Sequence, residues 1–266
     1  MKAIGLIGCG NMGEALLKGL QDKCKNVTLS FYEVSKERIA AVEKEFNIKS
    51  HGAINDIVQQ CSYLLLCVKP NIFPQLLHEL SRCSLENKVL ISIAAGITIK
   101  NMEDVIGEKN KIVRVMPNTP ALIGKGVSAI ANNGNLSDEE INNVTEIFTS
   151  VGEVIEIEEK LLDAVTGVSG SGPAYVYTFI QSLVQAGILQ GLDSLTAKKL
   201  AVETVIGGAE MVKSSSEHIG TLIDKVTSPG GTTISALASL EKNGFKNAVI
   251  DAVAAAVNRS KELGSK

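Results

Sequence analysis

Short apolar runs recur along the first 158 residues, and stretches with the helical spacing of apolar positions separate them. The runs lie at 2–7, 28–32, 63–68, 89–94, 112–116, 127–131 and 154–157. This alternation predicts an α/β fold built on a mostly parallel, doubly wound sheet. One of the helices between the runs is marked by a capping box, because Glu140 follows Ser137 at a spacing of three, and it is expected to end near residue 150.

After residue 160 the strand pattern disappears and only helical periods remain. They predict helices over 174–192, 195–212, 217–225 and 232–243, and an alanine-rich helix from 245 to about 263. A chain of 266 residues is long enough for two ordinary domains. We therefore expect a dinucleotide-binding domain over 1–159 and an all-helical domain over 160–266.

Residues 164–192 contain no charged side chain, which raises the question of a membrane span. Glycines and Pro173 interrupt the first part of this segment and glutamines recur in the second, so it is poorly suited to hydrocarbon. A helix that is apolar nearly all round is better explained by burial against a partner. We expect self-association, as a dimer or a decamer of dimers.

Charge and cysteine content narrow the range of partners and compartments. The 26 basic and 29 acidic residues leave the chain weakly acidic without a basic block, so we expect neither nucleic acid nor a membrane as a partner. The five cysteines are odd in number and lack metal-ligand spacing, which favours reduced thiols and no metal site. Because the chain also opens directly with a strand pattern, without a signal sequence, the expected location is cytoplasmic.

A glycine turn follows the first apolar run and opens a helix. Its sequence is Ile7-Gly8-Cys9-Gly10-Asn11-Met12-Gly13. In a dinucleotide-binding turn of this form the first glycine makes the tight bend, the second lets the backbone approach a pyrophosphate, and the third lets the helix pack close to the strand. Glu33 ends the next strand, where a ribose hydroxyl would be held, and Cys9 is a candidate for oxidation. The segment predicts a nicotinamide dinucleotide site of Rossmann type.

The choice between NADH and NADPH stays open at this stage. Glu33 favours NADH because its carboxylate repels a 2′-phosphate. Ser35, Lys36 and Arg38 follow closely and are able to bind such a phosphate, although Ser35 is also a good helix N-cap. Further along, Val68-Lys69-Pro70 ends a strand at the edge where a coenzyme crevice is expected, and Lys69 either contacts the coenzyme or is solvated.

The stretch 226–234 is a candidate anion site far from the glycine turn. Pro229 stops the preceding helix, Gly230 and Gly231 permit positive φ, and Thr232 and Thr233 open the next helix. A helix N-terminus flanked by glycines presents N–H groups and a positive dipole end, which suits a small carboxylate. The alternative interpretation is a capped surface turn.

Together these segments resemble pyrroline-5-carboxylate reductases over nearly the whole length. The resemblance is carried by the glycine turn, Cys67-Val68-Lys69-Pro70, Ile93-Ala94-Ala95-Gly96, Arg114-Val115-Met116-Pro117-Asn118-Thr119-Pro120, Asp163-Ala164-Val165-Thr166-Gly167-Val168-Ser169-Gly170-Ser171-Gly172-Pro173-Ala174-Tyr175 and 226–234. It implies reduction of the cyclic imine 1-pyrroline-5-carboxylate to L-proline, the last step of proline biosynthesis, by NADPH or NADH. It also implies that the helical domain interlocks two subunits.

The resemblance also assigns site residues. Thr233 corresponds to a catalytic hydroxyl that bonds the ring nitrogen, and the backbone of Gly231, Thr232 and Thr233 to a seat for the substrate carboxylate. Glu217 matches an acidic residue near the substrate, or is simply a helix N-terminal charge. The implied coenzyme contacts beyond the glycine turn are Glu33, Ser35, Asn55 near the adenine-side ribose, Cys67, Val68, Lys69, Pro70, Ile93, Ala94, Ala95, and Asn118 near the nicotinamide.

Two other functions compete with this one. A 3-hydroxyacid-type dehydrogenase would need a lysine general acid in the first helix of the second domain, and no lysine occurs between Lys160 and Lys198. A non-catalytic nucleotide-sensing dimer would have no reason to keep the anion site at 226–234. The three histidines, His51, His78 and His218, show no nucleophile or metal pattern, so we expect structural roles for them.

Overall fold

The computed structural model describes residues 2–264 as two compact units. The first comprises the described residues up to Ser171 together with those from Ala255 onward. Its strands are β1 Lys2–Ile7, β2 Val27–Tyr32, β3 Tyr63–Leu66, β4 Val89–Ser92, β5 Lys111–Met116, β6 Gly126–Asn132 and β7 Gly152–Glu156. Its helices are α1 Asn11–Lys23, α2 Lys36–Phe46, α3 Ile54–Gln60, α4 Phe73–Leu80, α5 Ile99–Ile106, α6 Asp138–Thr149 and the short α7 Leu162–Val165.

The seven strands form one sheet in the order β2-β1-β3-β4-β5-β6-β7. All neighbours pair in parallel except β5 and β6, which are antiparallel. From β1 the chain moves outward to β2 and then returns to β3 on the other side of β1. The order therefore reverses between β1 and β3, and a crevice opens there at the carboxyl ends of the strands, as in other doubly wound sheets.

Apolar side chains fill both faces of this sheet. In β3, Leu65 belongs to the cluster on one face, whereas Leu64 and Leu66 belong to the cluster on the other. All three are fully buried. Burial of one such side chain contributes about 1.5–3 kcal/mol, so two continuous clusters fix the sheet and the strand ends that carry the crevice. The predicted mostly parallel, doubly wound α/β fold is confirmed.

The second unit, Gly172–Ala254, is helical throughout. It contains α8 Gly172–Leu189, α9 Ser194–Ser214, α10 Ile219–Lys225, α11 Thr232–Lys242 and the first half of α12 Phe245–Gly264. In the described chain α8, α10 and α11 have no buried residue, and α9 has two, Ala197 and Ala201. Large apolar side chains such as Tyr177 and Leu189 are instead exposed. Within the described residues this unit does not bury the apolar surface that it carries.

Several predicted boundaries move. β3 and β4 are each two residues shorter than their apolar runs, because the chain leaves the sheet at Cys67 and Ile93. The predicted helix over 217–225 was wrong at its start: His218 caps α10, its Nδ1 accepting the Gly220 N–H at 3.1 Å, and the helix begins at Ile219. The first compact unit extends to Ser171 and also contains the end of α12. The predicted domain boundary at 159/160 stays a prediction. Among the helices that the structure describes, none is long and apolar enough to span a membrane.

Candidate functional site

The glycine turn between β1 and α1 lies at the reversal of strand order. Gly8 has φ +90, and a Cβ there would lie 3.0 Å from the Cys67 carbonyl oxygen. A Cβ at Gly13 would lie 2.7 Å from the Gly8 carbonyl oxygen, so α1 packs directly on the turn. At Gly10, by contrast, no described atom outside Gly10 and its two chain neighbours lies within 4 Å of an added Cβ. The three glycines therefore serve a bend, an open backbone surface and a close helix contact, and the open surface fits a pyrophosphate.

A cavity of about 360 Å³ opens beside this turn. Predicted coenzyme residues that line it are Ile7, Gly8, Gly10, Glu33, Cys67, Val68 and Lys69. Sequence reasoning missed the others, which are Tyr32, Val34, Ile54, Ile72, Gln75, Leu76 and Glu79. No sequence motif marks α4, from which three of them come, and the exposure of the apolar side chains of Val34 and Ile72 is visible in the structure alone.

Glu33 faces the backbone around it rather than open solvent. Its carboxylate accepts the Cys9 N–H at 2.9 Å, the Val34 N–H at 2.8 Å and the Ser35 N–H at 3.0 Å. Burial alone would raise the pKa of Glu33, but these three donors and nearby Arg38 outweigh it, and the pKa is lowered from its usual value. Glu33 is therefore a firmly ionised group at the end of β2, next to the crevice.

The residues that follow Glu33 are also engaged. The Ser35 hydroxyl accepts the Arg38 N–H at 3.4 Å, and Ser35 is the N-cap of α2. The Arg38 guanidinium donates to the Cys9 carbonyl oxygen from Nε at 3.0 Å and from Nη2 at 2.5 Å, and to Glu14 Oε2 at 2.5 Å. The structure thus directs Arg38 onto the glycine turn.

Cys67 lines the crevice, whereas Cys9 is fully buried and does not line it. Burial raises the pKa of Cys9 to about 12, with a further contribution from the charge of Glu33. Burial also raises the pKa of Cys67. Because the thiolate is the form that reacts, the expectation that Cys9 is sensitive to oxidation does not fit its surroundings.

The remaining predicted coenzyme residues do not line this cavity. Asn11, Met12 and Gly13 form the first turn of α1, Asn55 is exposed in the first turn of α3, and Pro70 lies just before α4. Ile93, Ala94 and Ala95 follow β4. Asn118 follows β5 and is buried: its Oδ1 accepts the Val127 N–H at 2.9 Å and its Nδ2 donates to the Ser169 carbonyl oxygen at 3.1 Å. The Asn118 amide thus joins β6 to the turn before α8.

In the helical unit, the predicted anion site is the N-terminus of α11. Gly230 has φ +68, whereas Gly231 has φ −79. Of the two glycines, Gly230 has the expected positive φ and Gly231 does not. Gly231 is the N-cap, its N–H donates to the Ser228 carbonyl oxygen at 3.1 Å, and no side chain of the described residues caps the helix. The N–H groups of Thr232 and Thr233 in the first turn are therefore available to an anion.

Glu217 lies two residues before α10 and is exposed. Its Oε2 accepts from Lys225 Nζ at 2.6 Å, and its backbone N–H donates to the Ser215 hydroxyl at 3.0 Å. The ion pair joins the segment before α10 to the last residue of that helix. Glu217 is therefore held by its own unit and is not a charge inside the first helical turn.

Comparison with known proteins places these features in one family. The chain is 41% identical to the pyrroline-5-carboxylate reductase of Synechocystis over 265 residues, which cover 99% of this chain and 98% of the relative. The Escherichia coli pyrroline-5-carboxylate reductase is 38% identical over 264 residues, 98% of each chain. This chain belongs to the pyrroline-5-carboxylate reductase family. The family is one of NAD(P)-dependent oxidoreductases.

Further comparisons match a solved structure and two family models to this chain. A crystal structure of Plasmodium falciparum pyrroline carboxylate reductase with NADP bound aligns with a TM-score of 0.89 at 39% identity, covering 99% of this chain and 98% of that one. Residues 159–263 match the family model described as pyrroline-5-carboxylate reductase dimerisation. Residues 3–96 match the model described as NADP oxidoreductase coenzyme F420-dependent. Within residues 2–264, no group of three or more His, Cys, Asp or Glu side chains is arranged to hold a metal ion.

Proposed function

We propose that this protein reduces 1-pyrroline-5-carboxylate to L-proline by hydride transfer from NADH or NADPH. The observation that carries the proposal is identity of 38–41% to pyrroline-5-carboxylate reductases over 98–99% of the chain. The open backbone at Gly10 and the crevice beside it support the coenzyme part. The uncapped N-terminus of α11 supports the substrate part, because it suits a small carboxylate.

The coenzyme supplies the hydride when it is bound. In our proposal the turn from Gly8 to Gly13 holds its pyrophosphate, and the exposed Val34 and Ile72 provide an apolar rim for the adenine. Glu33 faces the adenosine ribose in this proposal, and Lys69 lines the same crevice. Ile93–Ala95 and Asn118 follow the strand ends where the nicotinamide is expected.

For the substrate, we propose that the carboxylate rests on the backbone at Gly231, Thr232 and Thr233, with the free N–H groups of Thr232 and Thr233 as its donors. The Thr233 hydroxyl oxygen accepts from the iminium N–H, and its O–H donates to the nitrogen lone pair that forms as that atom changes from planar to tetrahedral. The hydride adds to the carbon of the C=N bond, and the electron pair of that bond moves to the nitrogen, which already carries a proton in the iminium form. Little general-acid chemistry is then required of the protein. Glu217 lies near the substrate in this scheme.

The test is loss of nicotinamide absorbance when pyrroline-5-carboxylate is added. Thr233→Ala should lower kcat/KM about tenfold, because a neutral hydrogen bond contributes about 1 kcal/mol and more if it tightens in the transition state. Thr233→Ser should restore most of that loss. Thr221→Ala removes an exposed threonine hydroxyl from α10 and serves as the matched control. Wild-type kcat/KM in Thr233→Ala would leave its hydroxyl as a helix-terminal group only.

The same assay separates the rival functions. Coenzyme reduction in the presence of a 3-hydroxyacid, without turnover of pyrroline-5-carboxylate, would favour the hydroxyacid dehydrogenase. Coenzyme binding without any turnover would favour the nucleotide sensor. Reduction of the imine by both coenzymes is our expectation. Glu33→Ser should raise the NADPH-to-NADH ratio of kcat/KM, because it removes the charge that repels a 2′-phosphate.

We also propose that the helical part forms an obligate dimer, which can be the unit of a decamer. The exposed apolar side chains of α8 and α9 support this, and so does the dimerisation model over 159–263. On that basis we retain 1–159 and 160–266 as the functional domains. We also propose that the protein is cytoplasmic and has neither nucleic acid nor membrane partners. Sedimentation should find no folded, active monomer at micromolar concentration.

A further inference from the structure

Arg38 follows Glu33, the residue expected at the ribose, closely in the sequence. The structure holds the Arg38 side chain in defined contacts. This side chain does not line the crevice. Of the charged residues that do, within the described chain, Lys69 is a cation and Glu33 and Glu79 are anions. The crevice therefore carries no excess positive charge to receive a 2′-phosphate, and Arg38 would have to leave its present contacts to supply one.

Arg38 contacts the glycine turn through Cys9. Two guanidinium nitrogens donate to the carbonyl oxygen of Cys9, at 3.0 and 2.5 Å. On the other side of the same residue, the Cys9 N–H donates to Glu33 at 2.9 Å. Cys9 is thus held through both of its backbone polar groups, by residues at the end of β2 and in α2. Gly10, whose backbone is open to the crevice, follows directly.

Glu14 completes the arrangement. It lies in the first turn of α1, the helix end that is expected to face the pyrophosphate, and its Oε2 accepts from Arg38 Nη2 at 2.5 Å. A carboxylate at that helix end would repel a pyrophosphate unless it is neutralised. The ion pair offsets that charge and fixes the guanidinium, with about a third of each side chain exposed, 36% for Arg38 and 31% for Glu14.

We infer that Arg38 is a positioning residue of the glycine turn, which fixes Cys9 and neutralises Glu14 for NADH and NADPH alike, and is not a receptor for the 2′-phosphate. The inference rests on the nucleotide-binding part of the proposed function. It goes further in naming which part of the coenzyme Arg38 serves, namely the pyrophosphate, and through which contacts.

Two fragments separate the two roles, because ADP carries a pyrophosphate without a 2′-phosphate and adenosine 2′-monophosphate carries the reverse. Dissociation constants for both fragments and for NADH and NADPH would be measured by calorimetry on the full chain. In Arg38→Ala we expect those of ADP, NADH and NADPH to rise together, about five- to tenfold, which corresponds to the loss of one charge-assisted contact. Binding of adenosine 2′-monophosphate should stay at the wild-type level, and so should the NADPH-to-NADH ratio of dissociation constants, which decides the question if the fragment binds too weakly to measure.

Lys44→Ala is the matched control, since it removes an exposed cation from the last turn of α2. Arg38→Lys keeps the charge but cannot donate from two nitrogens to Cys9, so it should recover only part of the ADP affinity. Weakening of NADPH and adenosine 2′-monophosphate alone would overturn the inference, as would unchanged binding of ADP. Equal weakening of all four ligands with a lower Tm would reduce Arg38 to a purely structural role. A wild-type protein that binds neither coenzyme would instead contradict the proposed function.

Discussion

Gly10 and Gly13 are predicted to fail in different ways when each is replaced by alanine. Gly10 has φ −72 and ψ −172, which alanine adopts, and the space around it is open. Alanine is a poorer N-cap than glycine, and it also reduces the entropy of the unfolded chain, so the two effects nearly cancel. The free energy of unfolding should change by less than about 0.5 kcal/mol. Coenzyme affinity should nevertheless fall more than about tenfold, since the new methyl group occupies the expected pyrophosphate position.

Gly13→Ala should instead destabilise the fold. Its Cβ would lie 2.7 Å from the Gly8 carbonyl oxygen, against 3.4 Å for an ordinary contact, and both sides of the clash are backbone. Overpacking of this kind costs about 1–3 kcal/mol, and the higher helix propensity of alanine returns about 1 kcal/mol. The net loss then lies at about 0–2 kcal/mol, and because both clashing groups are backbone we expect the upper half of that range, about 1–2 kcal/mol.

Denaturant unfolding without coenzyme, followed by NADH titration of each variant, tests both predictions. A comparable loss of stability in the two variants would refute the separate roles of the glycines. Wild-type NADH affinity in Gly10→Ala would mean that the pyrophosphate does not lie on this backbone. Gly52→Ala, at an exposed glycine with no described atom within 4 Å of an added Cβ, controls for the loss of a glycine in the same unit.

Three further outcomes follow from charges and burial. Because the pKa of Glu33 is lowered, its stabilising effect is full above the pKa of an unfolded glutamate and is lost as pH falls through the folded value. The loss of unfolding free energy in Glu33→Gln, measured by denaturant unfolding, should therefore shrink in acid. A loss independent of pH would contradict this. With a pKa of about 12, Cys9 should be alkylated by iodoacetamide far more slowly than half-buried Cys83 at pH 8, as peptide mass spectrometry would reveal; equal rates would be against it. Glu159→Ala leaves the guanidinium of Arg114 unpaired at 7% exposure and should lower the free energy of unfolding by about 2–3 kcal/mol, measured by thermal unfolding. Glu158→Ala, at an exposed pair, should lower it by less than about 1 kcal/mol. Similar losses in the two variants would refute the distinction.

The sheet was predictable because its central strands β3 and β4 are buried on both faces. A run such as Tyr63-Leu64-Leu65-Leu66 leaves little alternative to an internal strand, and its neighbours along the chain repeat the pattern. Helices α3, α4 and α5 are only seven or eight residues long, so their periodicity is too short to separate them from loops. The crevice wall from α4 consequently escaped prediction, because topology alone brings that helix to the glycine turn.

Side-chain partners were harder to predict than positions. The sequence indicates that Glu33 ends β2, but its three backbone donors depend on how β1, β2 and α2 converge. Glu217 next to Ser216 fits a helix start equally well by composition, and only the structure has His218 as the cap. At Gly231 the backbone angle does not require glycine, but a Cβ there would lie 3.1 Å from the Ser228 carbonyl oxygen and would displace the Ser228 hydroxyl.

The proposed coenzyme and carboxylate sites differ in what orders them. The glycine turn is anchored to β1 and β3, whose side chains belong to two buried clusters, so the coenzyme crevice has its own support within the first unit. The anion site opens α11, which has no buried residue in the described chain, and the helices around it expose their apolar surface. A helix with so little packing of its own is ordered mainly by what covers it. We therefore expect self-association of the helical part to stabilise the proposed carboxylate site directly, and to affect the coenzyme crevice far less.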